Sequence, residues 1–151
     1  MKIRVAQVDD INDIYNLNKE CLPIYYSYFE HLLYLMSATN LVLVAVTPEN
    51  NITGYLIGEY RQENSNFHIF SIGTSEKYRS QGIGKMLINY LVTKSIIKNC
   101  NNITLNVHDL NERGISFYKK NKFNIINRLE NYYGGQLESK SQSAYEMKRI
   151  I

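Results

Sequence analysis

Cysteine is scarce in this sequence. The two cysteines, Cys21 and Cys100, lie far apart, form no Cys-x-x-Cys pair and have no pair of histidines beside them. That spacing indicates neither a disulfide framework nor a zinc site. We therefore expect two free thiols and no bound metal.

Long apolar runs are also missing. No stretch reaches the roughly 18 apolar residues that a membrane-spanning helix needs. The first residues, Met1-Lys2-Ile3-Arg4, lack the apolar segment of a secretory signal. These features predict a cytoplasmic protein, with the nucleus as the alternative.

Charge of one sign is not in large excess. The net charge is +3, and the Lys and Arg residues are scattered rather than grouped. So small an excess does not by itself indicate a nucleic-acid-binding protein, and we expect no direct contact with nucleic acid or with a membrane. It does suit a ligand that carries several phosphates.

The chain does contain enough apolar residues for one folded domain. It has 151 residues, 44% of them hydrophobic, without repeats or linkers, and we expect a single domain over residues 1–151. Its periodicities predict the order β-α-α-β-β-β-α-β-α-β-β. The predicted elements are strand 2–6, a helix capped by Asp9 or Asp10 and ended by Pro23, helix 29–36, strands 41–46 and 53–59 joined by a turn at 48–51, strand 66–73, helix 86–97, strand 103–108, helix 111–121, and strands 123–132 and 143–150.

The most informative motif is Arg79-Ser80-Gln81-Gly82-Ile83-Gly84-Lys85, between an apolar strand and an amphipathic helix. A glycine-bearing turn at a helix start leaves backbone N–H groups free to bind an anion, and Arg79 and Lys85 add positive charge. Two glycines separated by one residue match neither the Walker A motif nor G-x-G-x-x-G, which disfavours both of those nucleotide sites. A plain strand-to-helix turn that needs glycine is the alternative.

The segment from Arg79 to Gly84 resembles R/Q-x-x-G-x-G/A, the acetyl-CoA pyrophosphate loop of the GCN5-related (GNAT) acetyltransferases. Four further passages resemble the protein Nα-terminal acetyltransferases of that superfamily: residues 21–26, 68–72, 111–118, and 131–133 with 144–149. The resemblance covers nearly the whole chain. It implies an α+β GNAT fold, in which one mixed, mostly antiparallel sheet is split into a V between its fourth and fifth strands, with helices on both faces.

The same resemblance implies acetyl-CoA as the cosubstrate. Backbone groups of the splayed fourth strand, at Ile72, Gly73 and Thr74, would bond to the pantetheine arm. The diphosphate would lie on the motif residues Arg79, Ser80, Gln81, Gly82, Ile83, Gly84 and Lys85. Asn111 matches a position that contacts the cofactor in the family, although it also suits the N-cap of the following helix.

Catalytic residues are implied in the gap of the V. Tyr118 lies where the family has a tyrosine that can donate a hydrogen bond or proton to the departing thiolate; filling the core beside Phe117 is its alternative. His68 and Asn106 are expected to face the gap from the fourth and fifth strands. Because asparagine cannot accept a proton, His68 is the candidate base and Glu59 the fallback, with a satisfied structural histidine and a solvated carboxylate as their alternatives.

Two passages match the peptide-binding elements of the family. The candidate substrate-binding residues are Leu22, Pro23, Ile24 and Tyr26 in a loop around the first substrate residue, and Tyr132 and Tyr133 in a hairpin over the peptide backbone. Since Ile24 stands where some members carry glutamate, we expect an uncharged, large first residue such as methionine. The alternative is that Leu22 and Ile24 are buried loop residues. An auxiliary subunit that anchors the enzyme at the ribosome, which several family members need, is a candidate partner.

The function implied is transfer of an acetyl group from acetyl-CoA to the free α-amino group of a protein or peptide N-terminus. No cysteine is expected near the site, which predicts direct attack in a ternary complex. A lysine side chain or a small-molecule amine is the alternative acceptor, which the paired tyrosines disfavour. A non-catalytic acyl-CoA sensor or auxiliary subunit is a third hypothesis, supported by Asn106 and by Lys122, which replaces a glycine usual in the family and predicts a turn that is either strained or rerouted.

Overall fold

The computed structural model describes residues 1–151. Its strands and helices are β1 (Lys2–Val5), α1 (Ile11–Cys21), α2 (Tyr28–Met36), β2 (Asn40–Val46), β3 (Ile52–Arg61), β4 (Asn66–Thr74), α3 (Ile83–Ile97), β5 (Asn102–His108), α4 (Glu112–Lys120), β6 (Asn124–Leu129) and β7 (Ala144–Ile150). The predicted order of elements is confirmed. The start of α3 at 86 and the end of β6 at 132 were wrong, since α3 begins at Ile83 and β6 ends at Leu129.

All strands belong to one sheet in the order β1-β2-β3-β4-β5-β7-β6. Every neighbouring pair is antiparallel except β4 and β5, which run parallel and pair only from Asn66–Asn102 to Ile69–Leu105. Beyond Ile69 the two strands separate. The predicted V between the fourth and fifth strands is therefore confirmed.

Helices cover both faces of the sheet, as expected for this order. The alternation of Phe67 and Ile69 on β4 with Ile103 and Leu105 on β5 turns these side chains toward α3, where they form the larger core. The opposite face carries α1 and α2 over a smaller core that includes Val44. His68, between Phe67 and Ile69, consequently belongs to the α1–α2 face.

A β-bulge interrupts β4 where the split begins. Ile57 of β3 pairs with Ser71, whereas the next residue, Gly58, pairs with Ile69, so Phe70 is the extra residue. A bulge bends its strand and redirects side chains, which is why bulges recur beside functional sites. Here it turns Phe70 and Ser71 toward the smaller core.

The two helices of that face begin differently. Ser27 caps α2 through its hydroxyl, which accepts from the amide of Glu30 at 3.2 Å, and the Glu30 carboxylate accepts from the amide of Ser27. Asp10 stands at the N-cap of α1, but its carboxylate makes no cap bond. It accepts instead from Arg4 at 2.7 and 3.0 Å and from the amide of Gln7. The expected aspartate N-cap of α1 is wrong, because Asp10 instead completes a capping box with Gln7 in the short turn that precedes the helix.

The turn after α4 has the strain that the sequence predicted. The amide of Lys122 donates to the carbonyl of Lys119 and the amide of Phe123 to that of Tyr118, which is a Schellman ending. That geometry needs a left-handed residue, and Lys122 supplies it with φ 71°. None of the helices is long and apolar enough to cross a membrane.

Candidate active site

The loop between β4 and α3 presents a run of free amides. Gly82, the N-cap of α3, makes no side-chain cap, and the backbone N–H groups of residues 80–85 donate to no acceptor within the protein. Ser80 (φ 64°) and Gly82 (φ 79°) are left-handed, which turns successive amides to one side. A cradle of free donors at the start of a 15-residue helix fits a diphosphate, and Arg79 and Lys85 flank it.

Gly84 lets α3 approach α4 closely. A Cβ atom at this position would lie 2.7 Å from Cζ of Phe117, so even alanine would force that ring to move. The ring of Phe117 packs edge to face on that of Tyr118, with centroids 5.4 Å apart. The glycine therefore gives Phe117, the ring neighbour of Tyr118, room to pack against the start of α3.

The free edge of β4 leads into this loop. Ile72, Gly73 and Thr74 are half-buried and have no partner on the β5 side. The carbonyl oxygen of Thr74 accepts from Nε of Arg79 at 3.2 Å and from Sγ of Cys21 at 3.4 Å. These contacts tie the end of the split edge to the cradle and to α1.

The position of Cys21 corrects one expectation. The last turn of α1 brings this cysteine to the end of the split edge, whereas no cysteine was expected near the site. Burial raises the pKa of the Cys21 thiol, with hydrogen bonding to Arg79 opposing it. A thiol with a raised pKa is protonated at neutral pH, which does not favour a covalent acetyl-cysteine step.

His68 lies at the base of the split, on the last stretch where β4 and β5 still pair. It is 8% exposed, and its Nδ1 lies 2.7 Å from Oγ1 of Thr104, its direct partner on β5. Burial, followed by the charge of Arg61, lowers the pKa of His68 to about 4, while Glu59 opposes the shift. Glu59 pairs with His68 across β3 and β4, and its carboxylate accepts from Nε of Arg61 at 2.7 Å.

Asn106 lies two residues beyond Thr104, where β5 has left β4. Its Nδ2 donates to the hydroxyl oxygen of Tyr132 at 3.2 Å, and its Oδ1 is buried without any partner. An unpaired buried acceptor is costly, so it marks a place where a ligand or water donates. His68 and Asn106 thus share the α1–α2 face, the first at the base of the split and the second within it.

Tyr118 reaches the split from the opposite face. Its ring packs between Phe117 and Phe123, with centroids at 5.4 and 5.9 Å. Its hydroxyl makes no hydrogen bond within the protein. The oxygen is not fully buried, so it keeps contact with solvent. Burial raises the pKa of Tyr118, and Tyr55 and Tyr133 add to the rise. The side chain is therefore a neutral O–H donor at neutral pH.

The fold, the cradle and the split can be compared with known proteins. A family model described as the acetyltransferase (GNAT) family matches residues 11–123. The chain belongs to this GNAT family. It is 27% identical over 156 residues to N-alpha-acetyltransferase daf-31 of Caenorhabditis elegans, covering 100% of this chain and 83% of that protein.

Two further relatives extend the comparison. An N-alpha-acetyltransferase of Sulfolobus acidocaldarius is 30% identical over 143 residues, covering 87% of this chain and 84% of that protein. The solved structure of Ard1 from Thermoplasma volcanium superposes with a TM-score of 0.85 at 25% identity, over 99% of this chain and 97% of that one. This GNAT protein is an acetyl-CoA-dependent N-acetyltransferase.

The loop between α1 and α2 of the acetyltransferase is held by a buried asparagine. Oδ1 of Asn18 accepts from the amide of Tyr26 at 2.9 Å and contacts Nε2 of His31 at 3.1 Å. Its Nδ2 donates to the hydroxyl oxygen of Tyr55 at 2.9 Å. One amide thus joins the loop to the sheet. Within this loop Leu22 is half-buried and Ile24 is 38% exposed, so the alternative that both are buried is wrong for Ile24.

Aromatic rings line the α1–α2 side of the split. Tyr26 packs on Tyr34 with centroids 5.1 Å apart, Tyr34 packs on Phe70 at 5.5 Å, and the Tyr26 hydroxyl donates to the carbonyl of Phe70. On the β5 side, Tyr132 packs on Tyr133 at 5.0 Å. The two groups of tyrosines therefore flank the split from opposite sides. Pro23, at the outer end of the loop, is exposed.

Asn111 takes its alternative role as an N-cap. Sequence reasoning missed three other residues of the site, which are Asn18, Phe70 and Thr104. Asn111 caps α4 by accepting from the amide of Gly114 at 2.9 Å. Asn18 could have been found, because it lies four residues after Ile14 on the apolar face of α1, where a polar residue is unusual. Phe70 and Thr104 gave no such signal, since their roles depend on a bulge and on a partner in another strand.

Proposed function

We propose that this acetyltransferase acetylates the free α-amino group of a peptide or protein N-terminus. One observation carries the proposal. The hydrogen bond from Asn106 to Tyr132 holds the turn after β6 beside the split, opposite the loop that carries Tyr26. A split flanked by tyrosines on both sides suits an extended chain that enters by its end. The names of the worm and archaeal relatives support the same acceptor.

Acetyl-CoA would be held in two parts. The free amides of residues 80–85, with Arg79 and Lys85, would bind the diphosphate. The split edge at Ile72, Gly73 and Thr74 would bond to the pantetheine amides as a neighbouring strand does. Asn111 would contribute only through its exposed amide nitrogen, since its oxygen caps α4.

Acetyl-CoA supplies a thioester whose carbonyl carbon forms a bond to the amine nitrogen while its bond to sulfur breaks. The amine loses one proton and the departing sulfur gains one. Tyr118, a neutral O–H donor, would donate a hydrogen bond to the departing sulfur, and the proton that the sulfur gains would come from the amine through water. Cys21 takes no part as a nucleophile.

The proton on the incoming ammonium does not go to His68. A protein α-ammonium has a pKa of about 7.7–8.0. Transfer to an imidazole whose pKa is about 4 would be uphill by roughly 5 kcal/mol at about 1.36 kcal/mol per unit. The site therefore uses the fraction of peptide amine that is already neutral, which is substantial near pH 7 for an α-amine and very small for a lysine of pKa about 10.4. This difference favours N-termini over lysine side chains.

The first residue of the peptide would contact an apolar wall. Ile24, with its side chain 38% exposed, and the rings of Tyr26, Tyr34 and Phe70 offer no charge to a substrate side chain. We therefore expect uncharged, large first residues such as methionine, and acidic first residues should be poor substrates.

A thiol-release assay with acetyl-CoA tests the proposal. Peptides that differ only at residue one, an Nα-blocked lysine peptide and small amines serve as acceptors. Release that requires a free N-terminus supports the proposal. Release with lysine or small amines alone contradicts it, and tight CoA binding without release identifies a sensor.

The Arg79→Ala variant tests the cradle separately. Loss of a charge-assisted hydrogen bond of about 1.5–3 kcal/mol should weaken acetyl-CoA binding by roughly 10- to 100-fold. Lys98→Ala, at the far end of α3, is the matched control and should bind like the parent. Equal calorimetric affinities for parent and Arg79→Ala would contradict the assigned diphosphate site.

A further inference from the structure

His68 and Thr104 form a buried pair across the join between β4 and β5. They are direct partners in register, each is 8% exposed, and Nδ1 lies 2.7 Å from Oγ1. Either atom can donate in such a pair, because a neutral imidazole carries its hydrogen on one of two nitrogens. The other bonds of Thr104 decide which one does.

The position of the hydroxyl hydrogen follows from the neighbouring amides. Oγ1 of Thr104 already accepts from Nδ2 of Asn66 at 3.2 Å. The orientation of that amide is set by its shortest contact, 2.6 Å from Nδ2 to Oδ1 of Asn102, and its second hydrogen is shared between Oγ1 of Thr104 and the carbonyl oxygen of Phe67. The remaining acceptor for the hydroxyl, Oδ1 of Asn66, is 3.5 Å away, at the limit of a hydrogen bond. The Thr104 hydroxyl therefore donates to Nδ1 of His68.

The other ring nitrogen must then carry the hydrogen. Nε2 of His68 forms no hydrogen bond within the protein. The atom is not fully buried, so it keeps contact with solvent. Because β4 and β5 separate one residue further on, the ring stands at the base of the split. The ring presents an N–H group there rather than a lone pair.

We propose that Thr104 is a positioning residue that holds His68 in its Nε2–H form, so that His68 donates a hydrogen bond to a carbonyl oxygen of the peptide substrate. This inference rests on the proposed function for the identity of the acceptor. The placement of the hydrogen rests on the Thr104 contacts alone. The histidine thus orients the acceptor, and the site contains no imidazole base.

Nitrogen NMR of the full-length protein tests the hydrogen position directly. Long-range ¹H–¹⁵N spectra of the imidazoles at neutral pH distinguish a protonated from an unprotonated ring nitrogen, and the His68→Gln variant identifies the His68 signals. We expect a protonated Nε2 and an unprotonated Nδ1. An Nδ1–H form in the parent protein overturns the proposal, whether or not acetylation is detected.

Thr104 offers a matched pair of variants. Thr104→Ser keeps the hydroxyl and should leave the His68 signals in the Nε2–H pattern. Thr104→Val keeps the shape but removes the donor, and it should shift His68 toward the Nδ1–H form. Unchanged His68 signals in Thr104→Val would mean that Thr104 does not set the tautomer. If Thr104→Val does not fold, the spectrum of the parent protein still decides the question.

Substitutions of His68 separate a donor from a base. The side-chain amide of glutamine places an N–H group close to the position of Nε2, but it cannot accept a proton. With the best peptide from the thiol-release panel, His68→Ala should lose roughly tenfold in kcat/KM, the effect of one hydrogen bond. His68→Gln should keep most of the parent value. Equal losses in the two variants would contradict the donor role.

Discussion

Tyr118 illustrates how surroundings decide the use of a single residue. The ring fills space between Phe117 and Phe123, as a core tyrosine would, yet its hydroxyl has no hydrogen-bond partner within the protein and is not fully buried. Burial raises the pKa of Tyr118, which keeps the proton on the hydroxyl and leaves the side chain as a hydrogen-bond donor. A departing thiolate would be a suitable acceptor for that hydrogen bond.

Removing that hydroxyl gives the first prediction at this scale. Tyr118→Phe keeps the ring packing, so acetyl-CoA affinity should change little, whereas kcat should fall by roughly a hundredfold or more. Steady-state kinetics and calorimetry measure the two quantities. Tyr90→Phe on α3 is the control and should behave like the parent. Unchanged turnover in Tyr118→Phe would remove the tyrosine from the mechanism.

Individual residues also mark the limit of sequence reasoning. The resemblance to the GNAT acetyltransferases was enough to place His68 near the split. It could not predict the state of the histidine, because the partner that orients it, Thr104, is 36 positions away in the chain. The same holds for Asn106, whose contact with Tyr132 forms only when the turn after β6 folds back. The chemistry of both depends on pairing between strands.

At the scale of elements, the loop before α3 was predictable because its features are local. Glycine at a helix start and flanking basic residues act within one turn. The β4 bulge was not predictable, since it appears only as a mismatch between Gly58–Ile69 and Ile57–Ser71 pairs. The ending of α4 lies between these cases, because the sequence predicted strain at Lys122 and the pairing of its backbone explains it.

The strained ending gives a prediction for α4. A non-glycine residue in the left-handed region costs about 1–2 kcal/mol, which glycine avoids at a smaller entropic cost. Lys122→Gly should therefore raise the free energy of unfolding by up to about 1 kcal/mol. Lys120→Gly, two residues earlier within the helix, is the control and should lower it by about 1 kcal/mol. Chemical denaturation measures both, and a destabilised Lys122→Gly would refute the strain.

At the scale of the whole molecule, the order of elements together with the resemblance to the GNAT acetyltransferases was enough to predict the architecture. Alternating strands assign the sheet, and the one long parallel crossover through α3 brings β4 and β5 side by side. The extent of their pairing was not accessible from local patterns. It is set by the bulge and by the packing of helices on the two faces.

Acid stability is the prediction that involves the whole fold. Burial lowers the pKa of His68 from 6.5 to about 4. Between these two pH values the unfolded chain binds a proton at this histidine and the folded chain does not. Stability is therefore full above about pH 6.5 and falls as the pH drops toward 4, by about 3 kcal/mol from this group. His68→Gln lacks the titrating group, and its disadvantage relative to the parent should shrink by about that amount between pH 7 and 4. Parallel stability curves from urea unfolding would contradict this account.

The short join between β4 and β5 has one more consequence. Past Ile69 the backbone N–H and C=O groups of β4 have no neighbouring strand on the side of the gap. Without the cosubstrate, a strand of another polypeptide could pair with this free edge. Acetyl-CoA bound along that edge would block this pairing and so reduce aggregation. Preparations kept with coenzyme A should consequently scatter less light on storage than those kept without it.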